Sequence, residues 1–510
     1  MANKYEDLSA DQKLAITTLG QLKSTGYKPL SIKDELRNNL IATMQKGENV
    51  FEGIWGYEDT VIPDIERAIL SRHNINLLGL RGQAKTKIAR MMVALLDEWV
   101  PFVHGSDLND DPLQPLSRFA IDMIAEKGDD TPVSWLNRED RFTEKLATPD
   151  VSIADLIGDV DPIKAATLKL PYSDERVIHY GLVPRTHRGI FVINELPDLQ
   201  PRIQVALFNI LQEGDIQIRG FKLRLPLDIQ FVFTANPEDY TNRGSIVTPL
   251  KDRLGSQIIT HYPKSIETGL KITQQEAAIA KNSSSKIVIN ELAKLLIEQI
   301  AIEARSSEYV DVKSGVSARL TISSYENLVS AVERRMLKNK ESEGHVRIAD
   351  FIGIIPSITG KIELVYEGEQ EGAGIVAQNL IGKAIRALFV DYFTDPDQVR
   401  KNREMRDPFK PIADWFGNSN MLDLLNDYSQ KEYEKELNKV PGLTDLVNDQ
   451  VKSITDPNFK LFLMEFVLFG LVEYSYLSKH PLENGMRIDD LLGSMISGFT
   501  DPGEGFEDEL

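Results

Sequence analysis

The chain has 510 residues, no cysteine, a formal net charge of −19, 42% hydrophobic and 26% charged residues. Its length calls for about two to four compact units, and the lack of cysteine excludes disulfides, thiolate metal sites and cysteine nucleophiles together. The acidic balance argues against general binding to a nucleic-acid backbone, which takes a lysine- and arginine-rich surface.

The N-terminal MANKYEDLSADQK is polar and has no apolar h-region, and no run approaches the roughly 18 consecutive apolar residues of a membrane span. A cytoplasmic, soluble protein is the expectation, with the final EDEL read as part of a solvated acidic terminus. In chain order, SIKDELRNNLIATMQKG (31–47) sets Ile32, Leu36, Leu40, Ile41 and Met44 at helical spacing behind Ser31, a candidate N-cap. Residues 1–48 are read as a helical lead-in. DTVIPDIERAILSR predicts a second helix, INLLGL a short strand, and KIARMMVALLDEWV a helix with Ile88, Met92, Leu95, Leu96 and Trp99 on one face.

From 101 to about 180, prolines, the turn signals DDP and GDD, and the polar SWLNREDRFTEK predict insertions and loops. The locally basic 176–189 is read as a solvated connection. RGIFVINE then predicts an apolar strand ending in Asn194 and Glu195, and LQPRIQVALFNILQEG a helix. DIQIRGFKLRL alternates around Arg219-Gly220 as a hairpin would, and DIQFVFTANP predicts a further strand. Strands alternating with helices predict an α/β core with a mostly parallel sheet. After about 265 the pattern turns helical: INELAKLLIEQIAIEAR, SSYENLVSAVERRML, IADFIGIIPSI and IVAQNLIGKAIRALFVDYF. The charged, proline-containing TDPDQVRKNREMRDPFKP reads as a linker, followed by the apolar helix FKLFLMEFVLFGLVEYSYL, which contains Glu465 and is expected to be buried. The divisions are therefore a core at 49–265 with insertions at about 101–180 and a hairpin at 215–226, an all-α lid at 266–395 and a helical C-terminal extension at 396–510.

The stretch NLLGLRGQAKTKIAR (76–90) carries the chemistry. A phosphate-binding loop offers successive backbone N–H groups to phosphate oxygens, one lysine as a mobile positive charge and one hydroxyl for Mg²⁺. Gly79, Gly82, Lys85 and Thr86 supply these parts. Ala84 stands where glycine is usual, and its methyl group is tolerated if its backbone takes ordinary right-handed helical angles. Glu195, at the end of a later apolar strand, is placed to orient and deprotonate an attacking water. The seven histidines form no recognisable ligand pair, so a zinc site is not expected.

Across most of 31–335 these residues resemble the AAA+ ATPases of the group containing the magnesium chelatase I subunit and the MoxR-type ATPases. MoxR-type loops commonly carry alanine before the lysine, YGLVPRTHRGIFVINELPDL (180–199) is similar to the chelatase stretch through its second nucleotide motif, and GDIQIRGFKLRL is similar to the hairpin inserted in that clade. The resemblance implies an AAA+ P-loop core that binds ATP and Mg²⁺ through Gly79, Gly82, Gln83, Ala84, Lys85 and Thr86, with Thr86 as the hydroxyl ligand of the metal. It implies Glu195 as catalytic glutamate, Asn236 in FTANPED as the polar sensor, and Arg253 in LKDRLG as an arginine facing a neighbouring subunit's γ-phosphate. Arg319 in GVSARL matches the sensor arginine of the lid. Asn194 departs from the family, which usually has aspartate there. An amide accepts hydrogen bonds from metal-bound water but adds no charge, so weaker Mg²⁺ affinity or slower turnover than in Asn194→Asp is the expectation.

The resemblance further implies a homo-oligomeric ring, most readily a hexamer, acting on a partner with a von Willebrand factor A domain or another client in remodelling, maturation or metal insertion. The 215–226 hairpin and the region after 396 are the candidate partner contacts. Two alternatives stand beside this reading: the chelatase motor subunit itself, against which the 101–180 insertions and the helical tail count, and a nucleotide-gated scaffold with little hydrolysis, motivated by Asn194.

Overall fold

The structure, a computed structural model, describes residues 5–171, 174–213, 216–218, 221–223, 225–237, 246–279, 286–402, 406–451 and 455–491. The chain divides into two compact units, Met1–Tyr262 and Pro263–Leu510.

Five strands carry the first unit: β1 (Ile75–Leu78), β2 (Phe142–Leu146), β3 (Gly189–Asn194), β4 (Ile229–Ala235) and β5 (Ser256–Ile259). All their pairings are parallel, in the order β5, β1, β4, β3, β2. Parallel neighbours need crossover connections, and here the chain leaves β1 for the far edge, returns strand by strand to β4, then passes to the other side of β1. The loop after β1 therefore opens at a switch in strand direction of travel, where α/β sheets bind ligands.

A strand covered on both faces reads as a continuous apolar run, and β3 shows why. Ile190 and Val192 pack on one face with Val232, Ile75, Leu77 and Ile258 under helices α1 (Ile32–Gln45), α2 (Val61–Leu70) and α3 (Lys85–Met91). Phe191 and Ile193 pack on the other with Phe231 and Phe233 under α4 (Pro201–Glu213), which contributes Ile203, Leu207 and Ile210. Ser31 caps α1 by accepting from Asp34 N–H, and Met44, expected on its apolar face, is exposed.

Other sequence expectations change in this unit. The helix after the loop is short: α3 ends at Met91, a 3₁₀ turn covers Met92–Leu95, and Trp99 begins a strand, Trp99–Val103, paired antiparallel with Val133–Asn137. The 101–180 stretch is not loop, since it contains β2 at the edge of the central sheet, a helix at Arg118–Lys127 and an antiparallel pair, Gly158–Val160 with Ile178–Tyr180. The end of the basic segment is not solvated either. His187 and Arg188 are buried, Arg188 pairs with Asp111 at 3.1 Å, and burial lowers the His187 imidazole to about 3.

The second unit is built on one hydrophobic core shared by helices Glu291–Ser306, Arg319–Asn339, Ala373–Tyr392 and Pro457–Glu473. The division expected near 395 falls inside this core, because Phe389 packs against Phe409 and Phe466. Glu465 is fully buried and its carboxylate accepts from Ile348 N–H at 2.6 Å, Ala349 N–H at 3.1 Å and the Tyr433 hydroxyl at 2.7 Å. The extension is not wholly helical: Leu422–Leu425, Leu477–Leu482 and Gly485–Asp490 form an antiparallel sheet with the last of these in the middle. By length and composition Ala373–Tyr392 is one helix that could cross a membrane. Here Val376, Leu380, Ile385 and Phe389 on it belong to the core.

Candidate nucleotide site

The loop is fixed between two strands. Gly79 N–H donates to Ala235 O of β4 at 3.1 Å, and Thr260 N–H, just beyond β5, donates to Leu78 O at 2.8 Å. A Cβ at Gly79 would stand 2.0 Å from Thr260 Oγ1 and 2.2 Å from Gln83 Oε1, so only glycine fits. Gln83 is buried, and its Oε1 accepts from Thr260 Oγ1 at 2.6 Å. The Tyr57 hydroxyl lies 3.1 Å from Gln83 O and 2.7 Å from His261 O, and burial pushes its phenol up to about 12. Tyr262 OH donates to Arg81 O at 3.1 Å.

Two loop positions are left-handed: Gly82 at φ 71° and Ala84 at φ 57°, ψ 14°. The sequence expectation that Ala84 takes right-handed angles is therefore corrected. A left-handed alanine costs on the order of 1 kcal/mol because its Cβ crowds the following carbonyl, which explains why glycine is the easier residue there.

Lys85 opens α3, and its Nζ donates to Leu80 O at 2.9 Å and to Asn236 Oδ1 at 2.7 Å, with Gly79 O as a third partner. Asn236 is buried at the end of β4. Asn194, the last residue of β3, is also buried, and its Oδ1 accepts from Thr86 Oγ1 at 3.3 Å and from Thr234 Oγ1 at 3.1 Å. Glu195 follows in a left-handed conformation, φ 57°, ψ 47°, its N–H donating to Thr234 Oγ1 at 3.1 Å. Such backbone strain in a non-glycine residue concentrates at working sites, where the surroundings hold it. The ends of β3 and β4 thus bring Asn194 and Asn236 to the loop, with Glu195 next in the chain after Asn194.

Mg²⁺ takes oxygen ligands and is usually held by one or two protein groups together with phosphates and waters. Thr86 Oγ1 and Asn194 Oδ1, 3.3 Å apart, are oxygen donors that fit that set. Among the described residues no cluster of three or more His, Asp or Glu forms a self-sufficient metal cage.

Sequence reasoning missed Glu144. It sits on β2, in register with Val192 of β3, and so shares a sheet face with Asn194 two residues on. Its Oε1 accepts from Asn194 Nδ2 at 2.7 Å, and its Oε2 accepts from Arg90 Nε of α3 at 2.8 Å. FTEKL carries neither an apolar run nor an alternation that would mark it as a strand.

Arg253 ends the helix Thr248–Arg253, is exposed and pairs with Asp252. Arg319 belongs to the second unit, where it begins the long helix, is exposed and donates its N–H to Ser317 Oγ at 3.2 Å. The expected hairpin is present as Ile216–Ile218 paired antiparallel with Phe221–Leu223. Its turn, Arg219-Gly220, and the C-terminal residues after 491 lie outside the described residues.

The sigma-54 interaction domain family matches residues 171–257, the segment holding β3, the hairpin, β4 and Arg253. The magnesium-chelatase 38 kDa subunit of Rhodobacter capsulatus is 24% identical over 229 residues, 44% of this chain and 59% of that protein. The subunit of the same name from Cereibacter sphaeroides is 25% identical over 210 residues, 39% of this chain and 55% of that protein. The chain thus spans a little over half the length of these curated relatives. A reconstruction of the complex between subunits BchI and BchD of magnesium chelatase overlaps 67% of this chain and 99% of that one at 16% identity and a TM-score of 0.30. With a loop, strand ends and strand order of this kind joined to these sequence relationships, the chain is similar to AAA+ proteins and, over part of its length, to the magnesium-chelatase 38 kDa subunit.

Proposed function

We propose that this chain is a motor ATPase of the MoxR and chelatase type, which couples ATP binding and hydrolysis in a ring to a conformational change in a partner protein. The observation that carries the reading is the convergence on Lys85, whose ammonium is held between the loop carbonyl of Leu80 and Asn236 Oδ1. The 79–86 backbone and Lys85 would hold the phosphates of ATP, and Thr86 would hold the Mg²⁺ that neutralises their charge. Glu195 activates the attacking water and Asn236 positions it. Arg253, exposed at a helix end, completes the site of the adjacent subunit, and Arg319 senses the nucleotide from the lid. A shared site of this kind requires a head-to-tail assembly, and the form proposed is a closed ring, most readily a hexamer. The partner is a von Willebrand factor A domain protein, and the 215–226 hairpin and the second unit's C-terminal part offer the contacts.

Glu195→Gln should bind ATP without hydrolysing it, so sedimentation of that variant at rising ATP tests the ring. Growth from small species to a single ring supports the reading, and a monomer at saturating ATP contradicts it. Two narrower alternatives keep specific motives. The relatives' name favours the chelatase motor itself, which porphyrin-dependent stimulation of turnover would support. Asn194 favours a nucleotide-gated scaffold, which stable ATP-bound rings with negligible phosphate release in the wild type would support.

A further inference from the structure

Asn194 is an amide where a carboxylate is usual, and an amide has two faces. Turned one way it offers Oδ1 to Thr86 and the metal. Turned the other it offers an N–H pair, which repels a cation and cannot accept from the Thr86 hydroxyl. The neighbour on its far side decides between them. The Glu144 carboxylate, paired with Arg90, offers only acceptors, so it takes Nδ2 at 2.7 Å and leaves Oδ1 toward Thr86 at 3.3 Å and Thr234 at 3.1 Å. Arg90 in turn holds Glu144 with two bonds, from Nε to Oε2 at 2.8 Å and from Nη2 to Oε1 at 3.1 Å. Because Arg90 projects from α3, the helix that begins at Lys85, the chain Arg90, Glu144, Asn194, Thr86 closes on the same short helix at both ends.

We propose that Glu144 is the positioning residue that makes Asn194 a working substitute for the usual aspartate, by fixing its amide with the oxygen toward the metal. The proposal rests on the nucleotide reading above and deepens it. Outer partners of this kind orient the groups nearest a metal, and their removal typically costs about 10- to 100-fold in metal affinity. It also reverses the expectation drawn from sequence. In Asn194→Asp a second carboxylate would face Glu144 across the present 2.7 Å contact, and two like charges at that distance oppose one another. The acid is disfavoured at 194 as long as Glu144 is its neighbour.

The test is the affinity of the full chain for a fluorescent ATP analogue, measured with Mg²⁺ and again with EDTA, in the wild type, Glu144→Ala, Glu144→Gln and Glu144→Gln/Asn194→Asp. The wild type should bind more tightly with Mg²⁺. Glu144→Ala should lose about tenfold of that Mg²⁺-dependent gain while its affinity in EDTA stays within about twofold of the wild type. The double variant exchanges the carboxylate and the amide between the two strands, so it should recover the gain relative to Glu144→Gln alone, which a merely structural role for Glu144 would not produce. An undiminished gain in Glu144→Ala, or no recovery in the double variant, overturns the inference while leaving the nucleotide reading intact. A wild type that binds no nucleotide in either condition overturns that reading, and this inference with it.

Discussion

Lys85 reaches from the loop to the end of β4 and donates to Asn236 Oδ1 at 2.7 Å. In the proposed function Lys85 holds phosphate and Asn236 places water, so the contact would tie the two events together: phosphate that drew the ammonium away would release Asn236 for its own task. Lys85→Ala should therefore abolish measurable nucleotide binding. Asn236→Ala should keep the nucleotide Kd within about threefold but lower kcat by roughly 10²-fold, the scale for removing one well-placed polar group from a reacting centre. Equilibrium binding and steady-state turnover on both variants separate these outcomes.

Ala84 is held at φ 57°, so Ala84→Gly relieves strain in the folded state and adds freedom to the unfolded chain. The relief, on the order of 1 kcal/mol or slightly more, exceeds the entropic loss of about 0.4–1 kcal/mol. A small net stabilisation follows, read as a raised urea midpoint for the first unit. Ala84→Val should lower it, because a branched side chain is worse in that region.

The loop residues were legible because Gly79, Gly82, Lys85 and Thr86 are contiguous and sit between an apolar strand and a helix start. β3 was legible because burial on both faces makes GIFVIN almost wholly apolar. β2 was not, since as an edge strand it keeps the half-exposed FTEKL, and its Glu144 meets Asn194 only through strand pairing across 50 residues of sequence. The handedness of Ala84 is a property of the loop's closure against Thr260 and Gln83, which no single residue type announces. Trp99 fitted a helical face by spacing, yet the 3₁₀ turn at Met92–Leu95 ended the helix first. In the second unit the short strands 477–482 and 485–490 are masked in sequence by Pro481 and charged residues.

Glu35 and Arg141 form a buried bidentate pair, Nη1 to Oε1 at 2.7 Å and Nη2 to Oε2 at 2.6 Å. It links α1 to the turn that leads into β2, and Arg141 Nε also donates to Arg188 O at 2.8 Å. Removing one partner strands a buried charge, so Glu35→Ala should cost about 3–5 kcal/mol. Chemical denaturation of the full chain, followed by a probe in the first unit, checks this value.

Glu465 lies among Ile348, Ala349 and Tyr433, and burial raises its carboxyl from its ordinary 4.5 to about 7. A folded-state value above the unfolded one means the proton is bound more tightly in the folded protein. The resulting stabilisation is fully present below about pH 4.5 and is lost as pH rises through about 7. Glu298, buried beside Thr273 and also raised to about 7 by burial, works in the same direction. Melting of the wild type against Glu465→Gln at pH 5 and pH 8 should show the wild type's relative stability falling with pH, by an amount on the order of 3 kcal/mol at most. A difference that does not change with pH would place the titration elsewhere.

The central claim is that the loop, Glu195 and an arginine from a second copy form one hydrolytic site. The direct measurement is ATP turnover per subunit across a wide range of protein concentration, with Glu195→Gln as the blank and Arg253→Ala mixed into the wild type. Turnover per subunit that rises with concentration, disappears in Glu195→Gln and is poisoned by the added Arg253→Ala chain is the predicted result. Turnover that is independent of concentration and insensitive to that mixing, or equal to the blank throughout, contradicts it.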